Sequence, residues 1–295
     1  MDGADVRSWL VDIDGPVHVA DFGGTGPTVI LLHGLGGSHA NWLRVGARLA
    51  RIGRVFCPDL PGFGRTRLAG RDSSLEANQD VVSRLIDALG APPVLLVGNS
   101  MGATIALRVA AARPGAVAGL ALIAPWAPLA GPADPGMRTI LQSPSAVRAL
   151  LRTQRTRPPA TTLRHLIRLG CARPDRIPPE VLSAATRIAR DRAALSRAED
   201  GFGPALASLM EYTQRPAVLR ATVGGIEVPA LIMRGTRDRV VPAGIIDSLR
   251  DIRPDWTYHQ IEGVGHVPQF EAPEEVARII IDWALTKRIT SLSAT

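Results

Sequence analysis

The chain has 295 residues, 46% of them hydrophobic and 21% charged, which is enough apolar material for one large core and excludes a disordered or fibrous chain. Its formal charge of +7 rests almost wholly on arginine, since Lys287 is the only lysine, and no aromatic-plus-basic cluster or phosphate-cradling glycine loop accompanies it, so no nucleic-acid partner is expected. Cys57 and Cys171 are too far apart and too unlike in context for a disulfide framework, and neither has metal-site spacing.

From Ser8 to Phe22 polar and apolar residues alternate around Asp14-Gly15, which predicts an antiparallel hairpin at a sheet edge. Strands and helices then alternate. The apolar run Val29 to Leu32 precedes a helix near Trp42 to Arg51, and Arg54 to Cys57 precedes one near Leu75 to Leu89. Pro93 to Val97 runs into Ala103 to Arg113, and Val117 to Ile123 follows as another strand. Near-continuous apolar strands interleaved with amphipathic helices imply an α/β fold: a mostly parallel, doubly wound sheet of about eight strands covered on both faces.

After Ala124-Pro125-Trp126 the alternation stops, and helical periodicity continues with joints at Pro158-Pro159, Pro178-Pro179 and Gly203-Pro204. The strand rhythm resumes at Val228-Pro229. The expected organisation is therefore a core domain of residues 1–125 and 225–295 interrupted by a helical lid over 126–224, with a last helix from Pro273 to Arg288 and a frayed tail from Ile289. Arginines crowd into the insertion, including Arg148, Arg152, Arg155, Arg157, Arg164, Arg168 and Arg173. They read as a solvated face, with contact to an anionic lipid or an acidic substrate as the alternative.

The segment Gly98-Asn99-Ser100-Met101-Gly102 sits between a strand and a helix. Glycines on either side let the backbone turn sharply and lift the Ser100 hydroxyl above the sheet, at the positive end of a helix. This marks Ser100 as a nucleophile. The loop His33-Gly34-Leu35-Gly36-Gly37 after the first buried strand can aim backbone N–H groups at a carbonyl oxygen, and His33 supports that loop. Asp238 lies in the loop after the strand Ala230 to Gly235, where it can orient an imidazole, although a carboxylate at the start of the insertion, Asp134, stays open as the alternative. His266, in the glycine-rich loop after Tyr258 to Ile261, is the candidate base. His18, His39, His165 and His259 have no motif support.

In their order Ser100, Asp238, His266, and with the turn Asp59-Leu60-Pro61-Gly62-Phe63-Gly64, these motifs resemble the α/β-hydrolases of the lid-bearing esterase, lipase and C–C hydrolase type, over about residues 5 to 288. The resemblance implies backbone N–H groups of Leu35 and Met101 as the oxyanion hole, and Trp42, Asn99 and Trp126 as candidates for binding substrate. Core packing is the alternative for the two tryptophans, and a structural role the alternative for Asn99. It implies hydrolysis of a carboxylic ester with a small or medium hydrophobic acyl group, without metal or cofactor. Carbon–carbon bond hydrolysis of a dienoic ring-fission product is the rival reaction, and a silent ligand receptor on the same scaffold is the rival class. Two features weigh against the rival reaction: the loop lacks a Gly-Pro-Gly sequence, and Val267 rather than tryptophan follows the histidine. With an acidic start at Met1 to Asp5 and no long apolar run, the protein is expected in the cytoplasm, as a monomer or homodimer, with peripheral lipid contact left open.

Overall fold

The computed structural model of the chain describes residues 6–90, 92–127, 159–195 and 200–289. The first strands, β1 (Arg7–Asp12) and β2 (Pro16–Gly23), form the antiparallel hairpin, with Asp14 and Gly15 both at positive φ in its turn. β3 (Thr28–Leu32), β4 (Arg54–Pro58), β5 (Val94–Asn99), β6 (Val117–Ile123), β7 (Ala230–Gly235) and β8 (Thr257–Ile261) complete an eight-stranded sheet in the order β1-β2-β4-β3-β5-β6-β7-β8. β2 meets β4 antiparallel, and every pair from β4 to β8 is parallel. All residues of β3 and β5 are buried, which is why both read as unbroken apolar runs.

The helices that cover the sheet follow its crossovers. A single 3₁₀ turn, His39–Trp42, capped by the Ser38 hydroxyl, leads into α1 (Leu43–Leu49). The helices α2 (Leu75–Ala88) and α3 (Met101–Ala112) come next. Between β6 and β7 the described residues form α4 (Pro159–Gly170), α5 (Pro179–Ala193), α6 (Phe202–Thr213) and α7 (Pro216–Gly224), with one short 3₁₀ turn and no strand. The chain closes with α8 (Ala243–Ile252), the single turn α9 (Pro268–Glu271) and α10 (Pro273–Thr286). Among the described residues no helix is long and apolar enough to cross a membrane.

Two boundaries differ from the sequence expectation. The joint expected at Gly203-Pro204 falls slightly earlier, because the pair lies in the first turn of α6, where a helix has no use for the missing proline N–H. That helix buries Ala205, Leu206, Leu209 and Met210 in the main core, so part of the insertion is packed with the sheet. Ile289, expected to open a frayed tail, is instead packed. Ile289 is only 3% exposed and belongs to the main core, against Gly119 of β6, where a Cβ would stand 2.6 Å from its Cδ1. Residues 290–295 lie outside the described part.

Ile289→Ala should therefore cost about 2 to 5 kcal/mol, the range for truncating a buried isoleucine. The urea midpoint should fall with an unchanged slope; a loss below about 0.5 kcal/mol would return Ile289 to the tail.

Candidate active site

Ser100 occupies the turn between β5 and α3 with φ 54° and ψ −118°, a strained conformation for a residue with a Cβ. The neighbours make this turn feasible only with glycine. A Cβ on Gly102 would stand 2.3 Å from the Leu32 carbonyl oxygen, and one on Gly98 would stand 2.5 Å from the Gly102 backbone. Strand β3, the turn and α3 are thus pressed backbone to backbone, and Ser100 between them is half-buried. Its N–H donates to the Ile123 carbonyl at 2.9 Å.

His266 and Asp238 are brought together from the loops after β8 and β7. His266 Nδ1 lies 3.0 Å from Asp238 Oδ2, while Asp238 Oδ1 accepts the N–H groups of Val240 and Val241 at 2.8 and 2.9 Å. With Nδ1–H donating to the carboxylate, the lone pair of the ring is left on Nε2. The two loops touch closely at Gly235, where a Cβ would meet the carbonyls of Val264 and Gly265 at 2.3 Å. The main chain of His266 is held as well. Its N–H donates to Gly170 O at 2.6 Å, and its carbonyl accepts from Asn99 Nδ2 at 3.1 Å. No hydrogen bond joins Ser100 Oγ to the imidazole among the described residues; Asn99, beside the serine, is the bridge between the two segments.

The His33 loop folds over this turn. Gly37 N–H donates to Gly34 O at 2.9 Å with Gly36 at φ 75°, and a Cβ on Gly34 would stand 3.3 Å from both Asn99 O and Ser100 Cβ. Leu35 follows Gly34, and Met101 is the first residue of α3. Neither N–H has a hydrogen-bond acceptor among the described residues. His33 is buried, with Nδ1 2.9 Å from Gly34 O and Nε2 accepting the Leu60 N–H at 3.1 Å. Burial lowers its pKa, so the ring is neutral, with its proton on Nδ1. It ties the loop to the turn after β4.

That turn contributes Asp59 to the one potential metal-ligating group among the described residues, in which it meets His18 of β2 and His39 of the 3₁₀ turn, all three buried. Asp59 accepts the N–H groups of His39 (2.6 Å) and Arg65 (2.8 Å), and His39 Nδ1 at 2.9 Å, so its lone pairs already have donors. His18 Nδ1 lies 3.0 Å from Oδ2 without hydrogen-bond alignment. Burial alone would raise the Asp59 pKa, but the charge of the His39 and His18 rings, with the hydrogen bond from His39, holds it far below the usual carboxylate range. The cluster is a clamp on three chain segments. Sequence reasoning gave its histidines no role, because their partner is remote in sequence; the usable signal was Gly64, whose Cβ would strike Asp59 Cγ at 2.1 Å. Burial raises the thiol pKa of Cys57 and of Cys171, and neither offers a thiolate nucleophile.

The three residues expected to bind substrate are all buried. Trp42 is fully buried in the core, where its indole packs and lines no open surface. Asn99 is buried with its amide donating to Ile123 O (3.2 Å) and His266 O, a role in holding loops. Trp126 is buried and joins α3 to α6: its carbonyl accepts from Thr104 Oγ1 at 2.8 Å and its Nε1 donates to Thr213 Oγ1 at 2.9 Å. The apolar groups that do approach the loops come from the insertion. Phe202 and Leu166 would lie 3.3 and 3.4 Å from a Cβ on Gly36. Asp134, with Arg148, Arg152, Arg155 and Arg157, lies outside the described residues, whereas Arg164, Arg168 and Arg173 are exposed.

Comparison with known proteins identifies the fold family. A family model described as the alpha/beta hydrolase fold matches residues 27–273. A 2-hydroxy-6-oxononadienedioate/2-hydroxy-6-oxononatrienedioate hydrolase of Pseudomonas putida is 28% identical over 92% of each chain. A pimeloyl-[acyl-carrier protein] methyl ester esterase of Methylococcus capsulatus is 30% identical over 87% of this chain and 94% of its own. Among solved structures, a thermophilic esterase from Thermogutta terrifontis superposes with a TM-score of 0.74 at 25% identity, covering 95% of this chain and 99% of its own.

The Asp59 clamp makes a prediction about pH. A carboxyl whose folded pKa is depressed adds stability that is fully present above its unfolded value, near pH 4, and is lost as the pH falls through the folded value. Asp59→Asn should lower stability at pH 7 by about 3 to 5 kcal/mol. In thermal melts the gap between parent and variant should hold from about pH 5 to 8 and narrow below about pH 4. A gap that widens on acidification would mean that Asp59 is not held ionised.

Proposed function

The chain belongs to the alpha/beta-hydrolase family and is a hydrolytic enzyme, and from that premise we propose that it is a serine hydrolase of hydrophobic carboxylic esters. The observation that carries this reading is the pairing of His266 Nδ1 with Asp238 Oδ2 in loops tied to the strained Ser100 turn.

In the proposed reaction Ser100 Oγ attacks the ester carbonyl carbon while His266 Nε2 takes its proton. Asp238 keeps the other ring proton on Nδ1 and stabilises the imidazolium. The carbonyl oxygen, now negative, accepts the N–H groups of Leu35 and Met101, each contributing about 3 kcal/mol in the transition state. Collapse expels the alcohol, which takes the proton from His266 and leaves the acyl group on Ser100. His266 then takes a proton from water, the hydroxyl adds to the acyl carbon, and a second collapse returns the proton to Ser100 and releases the acid. Asp238 fills the orienting role in preference to Asp134, because its free carboxylate oxygen is on the imidazole while two N–H groups fix the other.

We assign the helical insertion to the cover of this site. Leu166 and Phe202 lean on the oxyanion turn and Val267 packs beside α4, which gives a hydrophobic group of the substrate an apolar wall. The reading carries a small, hydrophobic ester, with no nucleic-acid partner. The relative from Pseudomonas putida keeps carbon–carbon bond hydrolysis as the second reading; Val267, following the base, and the His33 to Ser38 loop weigh against it.

Ser100→Ala should fold normally and lose at least about four orders of magnitude in kcat on p-nitrophenyl esters. Retention of a tenth of the activity in pure protein would sink the acyl-enzyme route.

Asp238→Asn should cost about 10³ to 10⁴ in kcat, and Asp134→Asn little. The reverse result would move the acid into the insertion. A chain-length series of esters run beside a dienoic diketone decides between the two reactions, and turnover of the diketone alone would select the second.

A further inference from the structure

Glu271 closes α9 and is only 5% exposed. A carboxylate so deeply placed is costly unless donors surround it. Its donors are two backbone N–H groups from different parts of the chain: Oε2 accepts from Gly265 at 2.8 Å and Oε1 from Arg173 at 2.6 Å. Gly265 immediately precedes the base, His266. Arg173 lies just beyond α4, in the insertion.

The contact between these two segments is tight throughout. His266 N–H donates to Gly170 O, and a Cβ on Gly265 would stand 2.4 Å from that oxygen and 2.7 Å from Ala172 N, so only glycine fits between the chains. On the far side Val267 packs on an apolar cluster of Ile167, Cys171, Ile177, Val181 and Phe270. The Cys171 thiol, raised by burial and by the charge of Glu271, adds no competing anion. Residues 170–173 and 265–267 are therefore one joint, and Glu271 supplies its charged member.

Given the serine hydrolase reading above, on which this step rests, we infer that Glu271 is a positioning residue that locks the His266 loop to the insertion. Asp238 orients the imidazole ring, and Glu271 fixes the backbone that carries it. The hydroxyl, the imidazole and the oxyanion donors must agree within a fraction of an ångström for proton transfer, so loosening this joint impairs chemistry more than binding.

The test uses Glu271→Gln in the full chain, which keeps shape and one acceptor oxygen but loses the second. The active fraction is set by titration with a fluorophosphonate. Per titrated site, kcat and the second-order rate of labelling at Ser100 should fall together by about 10- to 100-fold, with KM within about twofold. Hydrogen exchange should quicken in the Gly265–His266 and the Arg173 amides alike. A variant with parental kcat per titrated site, or with only one of the two segments exchanging faster, overturns the assignment. Exchange in the parent chain decides the matter if the variant does not fold: amides of Gly265, His266 and Arg173 opening at one common rate support the joint, and unrelated rates overturn it. These amides report without turnover, so a parent chain that fails to label at Ser100 would refute the serine mechanism while still reporting on the joint.

Discussion

Everything at the site depends on three backbones touching without side chains between them. Gly98 and Gly102 let β5, the Ser100 turn and α3 close onto the carbonyls of Leu32 and His33, and Gly34 closes the loop above. That contact sets the strained φ of Ser100 and brings Gly34, just before Leu35, against it. The strain is sustained because the sheet on either side is rigid: Ile123 O receives both the Ser100 N–H and the Asn99 amide, which fastens the turn to the neighbouring strand β6.

Around this turn the polar groups work in tiers. Asp238 and His266 meet as side chains, while Asp59, His33, Asn99 and Glu271 act on the backbones that bear the site. Each of these four is buried, and each bonds across segments distant in sequence. A buried polar group with all its partners specifies one arrangement of loops, because any other leaves it unpaired.

The division explains what was legible in the sequence. Strand and helix order could be read from local periodicity, and so could the Ser100 turn, because glycine at fixed offsets is a local requirement. Val117–Ile123 was read to the residue. What escaped depends on tertiary contact. Trp42 is chemically able to line a pocket, and only packing shows it enclosed. Pro204 looked like a break because its place in a first turn depends on where α6 starts. Ile289 looked like a tail because Gly119, which admits it, is far away in the chain. Glu271 gave no signal at all, since both of its partners are backbone amides that any residue supplies.

The hydrogen bond from His266 N–H to Gly170 O has an evolutionary consequence. A helical insertion is often pictured as a module that can be exchanged to obtain a new selectivity while the sheet keeps its chemistry. Here the last turn of α4 and the residues after it form part of the frame of the proposed base, and the fit at Gly265 leaves no room for a different path of the main chain. A lineage of this chain that replaced the whole insertion would have to reinvent residues 170–173 in the same place, so change in selectivity is channelled into substitutions and loop lengths on either side of that short stretch.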